Sequence, residues 1–92
     1  MIKTFRHKGL QAFFETGSKA GIQAAHETKL KHQLFALNSA VSPADLGAPG
    51  WRLHALQGRF QGLYSITVNG NWRVVFGFEG TDVVLVDYLD YH

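Results

Sequence analysis

Between residues 63 and 89 the chain alternates three strand-like runs with two tight turns, and this pattern limits the fold more than any other feature. Residues 63–68, 72–78 and 83–89 are rich in Val, aromatic and β-branched side chains, which suit a pleated, half-buried surface. Asn69-Gly70-Asn71 separates the first two runs and Glu79-Gly80 the last two. Turns this short leave room only for antiparallel neighbours, so the segment predicts a three-stranded meander. Register follows from parity. Tyr64, Ile66 and Val68 alternate with Ser65 and Thr67, while Trp72, Val74, Phe76 and Phe78 alternate with Arg73, Val75 and Gly77. Setting apolar against apolar places Val68 opposite Trp72 and Ile66 opposite Val74. That needs a three-residue loop, Asn69 to Asn71, with Asn71 left-handed; a two-residue Asn-Gly turn would set Ile66 against Arg73. In the second hairpin a two-residue Glu79-Gly80 loop pairs Phe76 with Val83 and Val74 with Leu85. Arg73 then shares its face with Val84, Val86 and Tyr88, and continued alternation adds Asp90 and His92.

A sheet with one apolar face needs a cover, and the upstream half supplies it. Residues 2–5 read as a short first strand. Residues 8–15 carry Leu10, Phe13 and Phe14 at the spacing of a short amphipathic helix, broken by Gly17-Ser18 and Gly21. Ile22, Ala25, Lys29, Leu30, Leu34, Leu37 and Val41 then form a helical stripe, with His26, Lys31 and Gln33 off it. Ser42-Pro43-Ala44-Asp45 reads as a cap and first-turn proline opening one short turn. Gly47, Pro49 and Gly50 mark a loop, and Trp51-Arg52-Leu53-His54 is a short candidate strand. The expectation is an α+β fold in which residues 1–92 form one domain. Two N-terminal helices pack on one face of a mainly antiparallel sheet, and the meander is C-terminal.

Composition excludes several classes. The 92 residues contain no cysteine, which removes disulfides, zinc ribbons and thiol nucleophiles. An apolar share of 46% with 12 aromatic residues is that of a chain with a core, not a disordered tail. No apolar run approaches a membrane span, and the start lacks the apolar core of a signal peptide, so the expectation is a cytoplasmic protein without membrane contact. Net charge is +2 but unevenly spread: +4 over residues 1–32, +1 over 33–60 and −3 over 61–92. A basic front suits an anionic partner such as nucleic acid, and equally an ordinary solvated face.

Phosphate loops, nucleophile elbows and zinc-protease motifs are absent from the sequence. Of His7, His26, His32, His54 and His92, none forms a close ligand pair with a carboxylate except that Asp90 and His92 are two apart, so neither a metal nor another cofactor is expected. Asp90-Tyr91-His92 gathers an acid, a phenol and an imidazole directly after a strand, which are ordinary proton movers or else groups that merely solvate a chain end. Arg73 is the sole basic residue of the meander. It suits a phosphate, or a salt bridge to Asp87 or Asp90. His54, after its short strand, is a third candidate.

The start Met1-Ile2-Lys3-Thr4-Phe5, the block Trp51-Arg52-Leu53-His54-Ala55-Leu56-Gln57-Gly58, the block from Tyr64 through Trp72-Arg73 to Phe76, and the end Asp87-Tyr88-Leu89-Asp90-Tyr91-His92 closely resemble HigB-type toxins. These belong to the RelE/ParE superfamily of bacterial toxin–antitoxin systems. The resemblance spans essentially the whole chain. It implies a compact RelE-like domain, a ribosome-dependent mRNA endonuclease and a helix-turn-helix antitoxin of the HigA type. It also implies that His54, Arg73, Asp90, Tyr91 and His92 serve RNA cleavage.

Arg52, Gln57, Arg59 and Asn71 are the expected RNA contacts. Gln57 departs from the basic residue often found there and supplies no charge, a loss that Arg52 or Arg59 can offset. Arg6, Lys8, Lys19, Lys29 and Lys31 are expected to meet ribosomal phosphate. The expected chemistry is metal-free attack of a ribose 2′-hydroxyl on the adjacent phosphate. Two other readings stand beside it: a ParE-like gyrase poison, and a catalytically weak toxin-like protein acting mainly as a repressor partner. Induction that depletes mRNA, or instead damages DNA, separates the first two.

Overall fold

The structure, a computed structural model, describes residues 1–90. Two α-helices, α1 (Lys8–Thr16) and α2 (Glu27–Ser39), precede a four-stranded antiparallel sheet. Its strands are β1 (His54–Ala55), β2 (Tyr64–Asn69), β3 (Trp72–Glu79) and β4 (Asp82–Asp90), in the order β1-β2-β3-β4. The meander and the cover of two N-terminal helices are as the sequence predicts.

The core lies between helices and sheet. Leu10 and Phe13 of α1 and Leu30, Leu34 and Leu37 of α2 pack against Ile66, Val74, Phe76, Val83, Val86 and Tyr88. His7 caps α1: its Nδ1 accepts from the Leu10 amide at 2.9 Å. α1 stops at Gly17, whose φ of +81° is the left-handed conformation that ends helices cheaply in glycine. The chain then crosses back over α1. A Cβ on Gly21 would fall 2.5 Å from the Gly9 Cα, so this crossing requires two glycines.

The buried stripe of α2 is not the expected one. His26 and Gln33 are buried, while Ala25 and Val41 are exposed. Residues 26, 30, 33, 34 and 37 follow the same helical period as the predicted stripe, displaced round the helix toward its polar members. Gln33 is tolerated inside because its Nε2 donates to the Thr67 carbonyl at 2.7 Å, tying α2 to β2. The turn expected after Ser42 is present as a 3₁₀ segment, Pro43–Leu46. The Asp45 carboxylate accepts from the Val41 and Ser42 amides there.

Both hairpins correct the predicted registers. Ile66 does face Val74, but Asn69 pairs with Trp72, and a bulge lies between Thr67 and Asn69. The loop is therefore Gly70-Asn71. Gly70 takes the positive φ of +56°, and Asn71 is not left-handed. In the second hairpin Glu79 pairs with Asp82 and Phe78 with Val83, so the loop is Gly80-Thr81. A second bulge follows, and beyond it Val75 pairs with Asp87, Val74 with Tyr88 and Arg73 with Leu89. Leu85, at φ +59°, lies in this bulge, and its amide donates to Thr4 Oγ1. The extra residue lets both Val83 and Val86 point into the core, which strict alternation forbids.

The expected first strand over 2–5 runs parallel to β4 as two isolated bridges, Ile2 with Val83 and Phe5 with Val86, because the bulge interrupts the ladder. The candidate strand over 51–54 is reduced to β1. Arg52 has a φ of +51°, which breaks extension, and the Trp51 carbonyl accepts from the Thr67 amide instead. No helix among the described residues is long and apolar enough to cross a membrane.

Candidate active site

Residues paired directly across antiparallel strands project to the same face. His54, Ser65, Val75 and Asp87 form one such row across all four strands. Thr67, Arg73 and Leu89 form another row, two residues further along β2. These rows lie on the face away from the helices, since the alternating set Ile66, Val74, Phe76 and Tyr88 is in the core. Ser65 and Val75 are the buried floor of that face, and His54 is exposed above it. Strand spacing and rise place the His54 and Arg73 Cα atoms roughly 12 Å apart on a flat sheet. At that distance the two residues stand apart on one face, with the Ser65 and Val75 floor between them.

Arg73 is held by its own turn. Its Nη1 donates to the Gly70 carbonyl at 2.6 Å and to the Trp72 carbonyl at 3.1 Å. A guanidinium carries five N–H donors in a rigid fork, so anchoring one nitrogen fixes the plane in which the others are offered. Gly70 supplies the positive φ of this turn.

The second bulge changes the company of Arg73. Its cross-strand neighbour is Leu89, not Val84, Val86 or Tyr88. Asp90 pairs with Trp72 instead, so it stands at the exposed end of β4 with the opposite parity to Arg73. The predicted placement of Asp90 on the Arg73 face is thus corrected. Tyr91 and His92, the other two members of the predicted terminal group, lie outside the described residues.

The remaining predicted contacts divide between two places. Arg52, Gln57 and Arg59 are exposed and flank β1, on the same sheet edge as His54. The Arg59 guanidinium carbon sits 5.1 Å from the centre of the Phe60 ring. Asn71 is exposed in the turn beside Arg73. Of the expected ribosome-facing set, Arg6 and Lys8 are exposed near the start of α1. Lys19 reaches Glu27 at 3.3 Å. Lys29 and Lys31, two apart on α2, point about 200° apart around the helix, so the three lysines form no single patch. Lys31 instead borders a cleft of about 340 Å³ between α1 and α2, lined also by Phe13, Phe14, Leu34 and Phe35. This cleft is on the helical side of the sheet, remote from the face of His54 and Arg73.

One cluster went unpredicted. Beneath the start of β3 and the end of β4, the ring centres of Trp72 and Tyr88 are 4.6 Å apart. His26 meets both edge-on, and His7 meets Tyr88 edge-on. His26 Nδ1 lies 2.6 Å from the Tyr88 hydroxyl, which also accepts from the Gln23 amide. Burial pushes the Tyr88 phenol above its usual range, an effect the Gln23 amide partly offsets by favouring the ionised form. The available signal was spacing: His26 lies four residues before Leu30 and so extends the buried stripe backwards.

Two helices over an antiparallel meander, with an anchored arginine and a histidine on the uncovered face, fit the compact RelE-like toxin class that the sequence resembles. The model of one family, described as RelE-like toxin of type II toxin-antitoxin system HigB, matches residues 3–92, and the chain belongs to that family. It is 39% identical to Endoribonuclease HigB of Proteus vulgaris over 92 residues, covering all of both chains. It is 34% identical to Toxin HigB-1 of Vibrio cholerae serotype O1 over 94 residues, covering all of this chain and 98% of that one. Membership of a type II toxin–antitoxin family implies an antitoxin partner.

Proposed function

We propose that this toxin is an endoribonuclease that cuts mRNA on the ribosome through the uncovered face of its sheet. The observation that carries the proposal is the shared face of His54 and Arg73, in a chain related along its full length to an endoribonuclease. RNA contains its own nucleophile. A base removes the proton of a ribose 2′-hydroxyl, the oxygen attacks the adjacent phosphorus, and the bond to the 5′-oxygen breaks. An acid protonates that oxygen, leaving a 2′,3′-cyclic phosphate and a 5′-hydroxyl. The protein must therefore move two protons and stabilise a phosphorane bearing extra negative charge. The Arg73 fork is suited to that charge. His54 is suited to one proton transfer. His92 is suited to the other, with base and acid not assigned between the two histidines, and Asp90, at the open end of β4, is suited to orienting an imidazole. Tyr91 offers a ring on which a base can stack.

The gyrase-poison reading needs no proton movers, and the family relationship leads to a nuclease instead. The partners that follow are translating ribosomes, mRNA and a helix-turn-helix antitoxin of the HigA type, in the cytoplasm. Primer extension on a message incubated with the protein, with and without translating ribosomes, tests the reading. Discrete new ends only in the translating reaction support it, and an intact message in both overturns it.

A further inference from the structure

We infer that His26 and Tyr88 are positioning residues for RNA cleavage: their buried bond locks the end of β4 and the start of β3, and so sets where Asp90 and Arg73 stand. The inference rests on the nuclease reading and adds residues from outside the candidate site. Tyr88 is two residues before Asp90. Its ring lies against that of Trp72, tilted by 32°, and Trp72 is at once the cross-strand neighbour of Asp90 and the residue before Arg73. Strand ends fray unless something holds them. Here the Tyr88 hydroxyl is held from the helical side by His26 Nδ1 at 2.6 Å and by the Gln23 amide at 3.3 Å.

The arrangement has more polarity than packing alone requires. His26 is 5% exposed and Tyr88 4%. A Phe and a Leu would fill the same space without desolvating an imidazole and a phenol. The polar pair adds direction. A short bond between buried groups fixes the rotation of the tyrosine ring, and the ring fixes Trp72 against which Asp90 is registered. His7 adds a third hold, meeting Tyr88 edge-on while it caps α1. The chain segments before α1 and α2 thereby grip the site from beneath. Reacting groups must be held to about 0.5 Å, and a displacement near 1 Å costs about a hundredfold in rate. Loss of this hold is therefore read in kcat, not in substrate binding.

Three variants test this in a translation-coupled cleavage assay, with thermal unfolding measured alongside. Tyr88→Phe keeps the ring and its contact with Trp72 but removes the hydroxyl. His26→Leu removes the imidazole. His26→Asn returns a polar atom near the Nδ1 position. The expected result is a fall in kcat of roughly 10- to 100-fold for Tyr88→Phe and His26→Leu, with KM within about twofold. The double variant should be no worse than either single change, and His26→Asn should recover activity in part. Wild-type kcat in folded Tyr88→Phe, well below its melting temperature, overturns the inference while leaving the nuclease reading intact. A fall in kcat for His26→Leu alone, with Tyr88→Phe unaffected, also overturns it, because the proposal requires the bond. A wild-type protein that cuts no message overturns the nuclease reading itself and the inference with it.

Discussion

Replacing Arg73 with alanine separates catalysis from folding more sharply than any other single change at the site. In the folded protein Arg73 makes two hydrogen bonds, both from Nη1 to backbone carbonyls of its own hairpin. Charge-assisted bonds contribute more than neutral ones when buried, but these sit at a partly exposed turn where water can replace the lost donor. The expected stability loss is therefore about 1 kcal/mol. For a domain of this size that lowers the melting temperature by about 4–8 °C. The catalytic loss should be larger. Removing one preorganised donor from a developing oxyanion costs roughly 10²–10³ in rate, or about 3–4 kcal/mol.

Arg73→Lys should fall between the two. It keeps one charge but loses the fork, and with it the anchoring at the turn. Both variants are compared with wild type by melting curves and by rates of message cleavage in a translation extract. A folded Arg73→Ala protein that cuts at the wild-type rate would refute the assignment. Equal losses of stability and activity would reduce Arg73 to a clamp on its own hairpin.

The other expectations concern the chain end, the basic front and the buried phenol. Deleting Tyr91 and His92 should abolish cleavage with little loss of thermal stability, and retained cleavage would exclude the chain end from the chemistry. Changing Lys19, Lys29 and Lys31 together to Glu should weaken ribosome association and flatten its salt dependence without moving the cut sites. An unchanged salt slope would make these lysines an ordinary solvated surface. Burial raises the Tyr88 phenol above 10.0, so the folded state holds that proton more tightly than the unfolded chain. This contribution to stability is complete below the unfolded value and is lost as pH rises through the folded one. Between about pH 8 and about pH 11, wild type should lose more stability than Tyr88→Phe in paired urea titrations, and parallel losses would contradict the assignment.

Much of the architecture was legible because it follows from period and punctuation. Leu10 and Phe13 announced α1, and the Val- and aromatic-rich runs announced β2 to β4. What escaped was wherever one local rule met a competing one. The run Val83-Val84-Leu85-Val86 is apolar throughout, so its parity carries no mark of the bulge that turns both Val83 and Val86 inward. That bulge shifted every partner of Arg73 and moved Asp90 to the other parity. In the first hairpin, a loop assumed to absorb the odd residue passed it to a bulge, because Gly70 takes a positive φ more cheaply than Asn71. His26 and Gln33 fall off the apolar stripe read from the sequence, yet each is buried with a specific partner, the Tyr88 hydroxyl and the Thr67 carbonyl. Such partners lie 62 and 34 residues away along the chain, beyond the reach of any local pattern. His54 and Arg73 were legible as residues, and the shared face that joins them required the strand registers.

The proposed cleavage depends above all on the 2′-hydroxyl as nucleophile. A synthetic message carrying a single 2′-deoxynucleotide immediately 5′ of a mapped cut should be translated and left intact at that position. Neighbouring sites should still be cut, and their ends should bear a cyclic phosphate and a free 5′-hydroxyl. Unchanged cutting at the deoxy position would contradict the proposed chemistry and the roles given to His54 and Arg73.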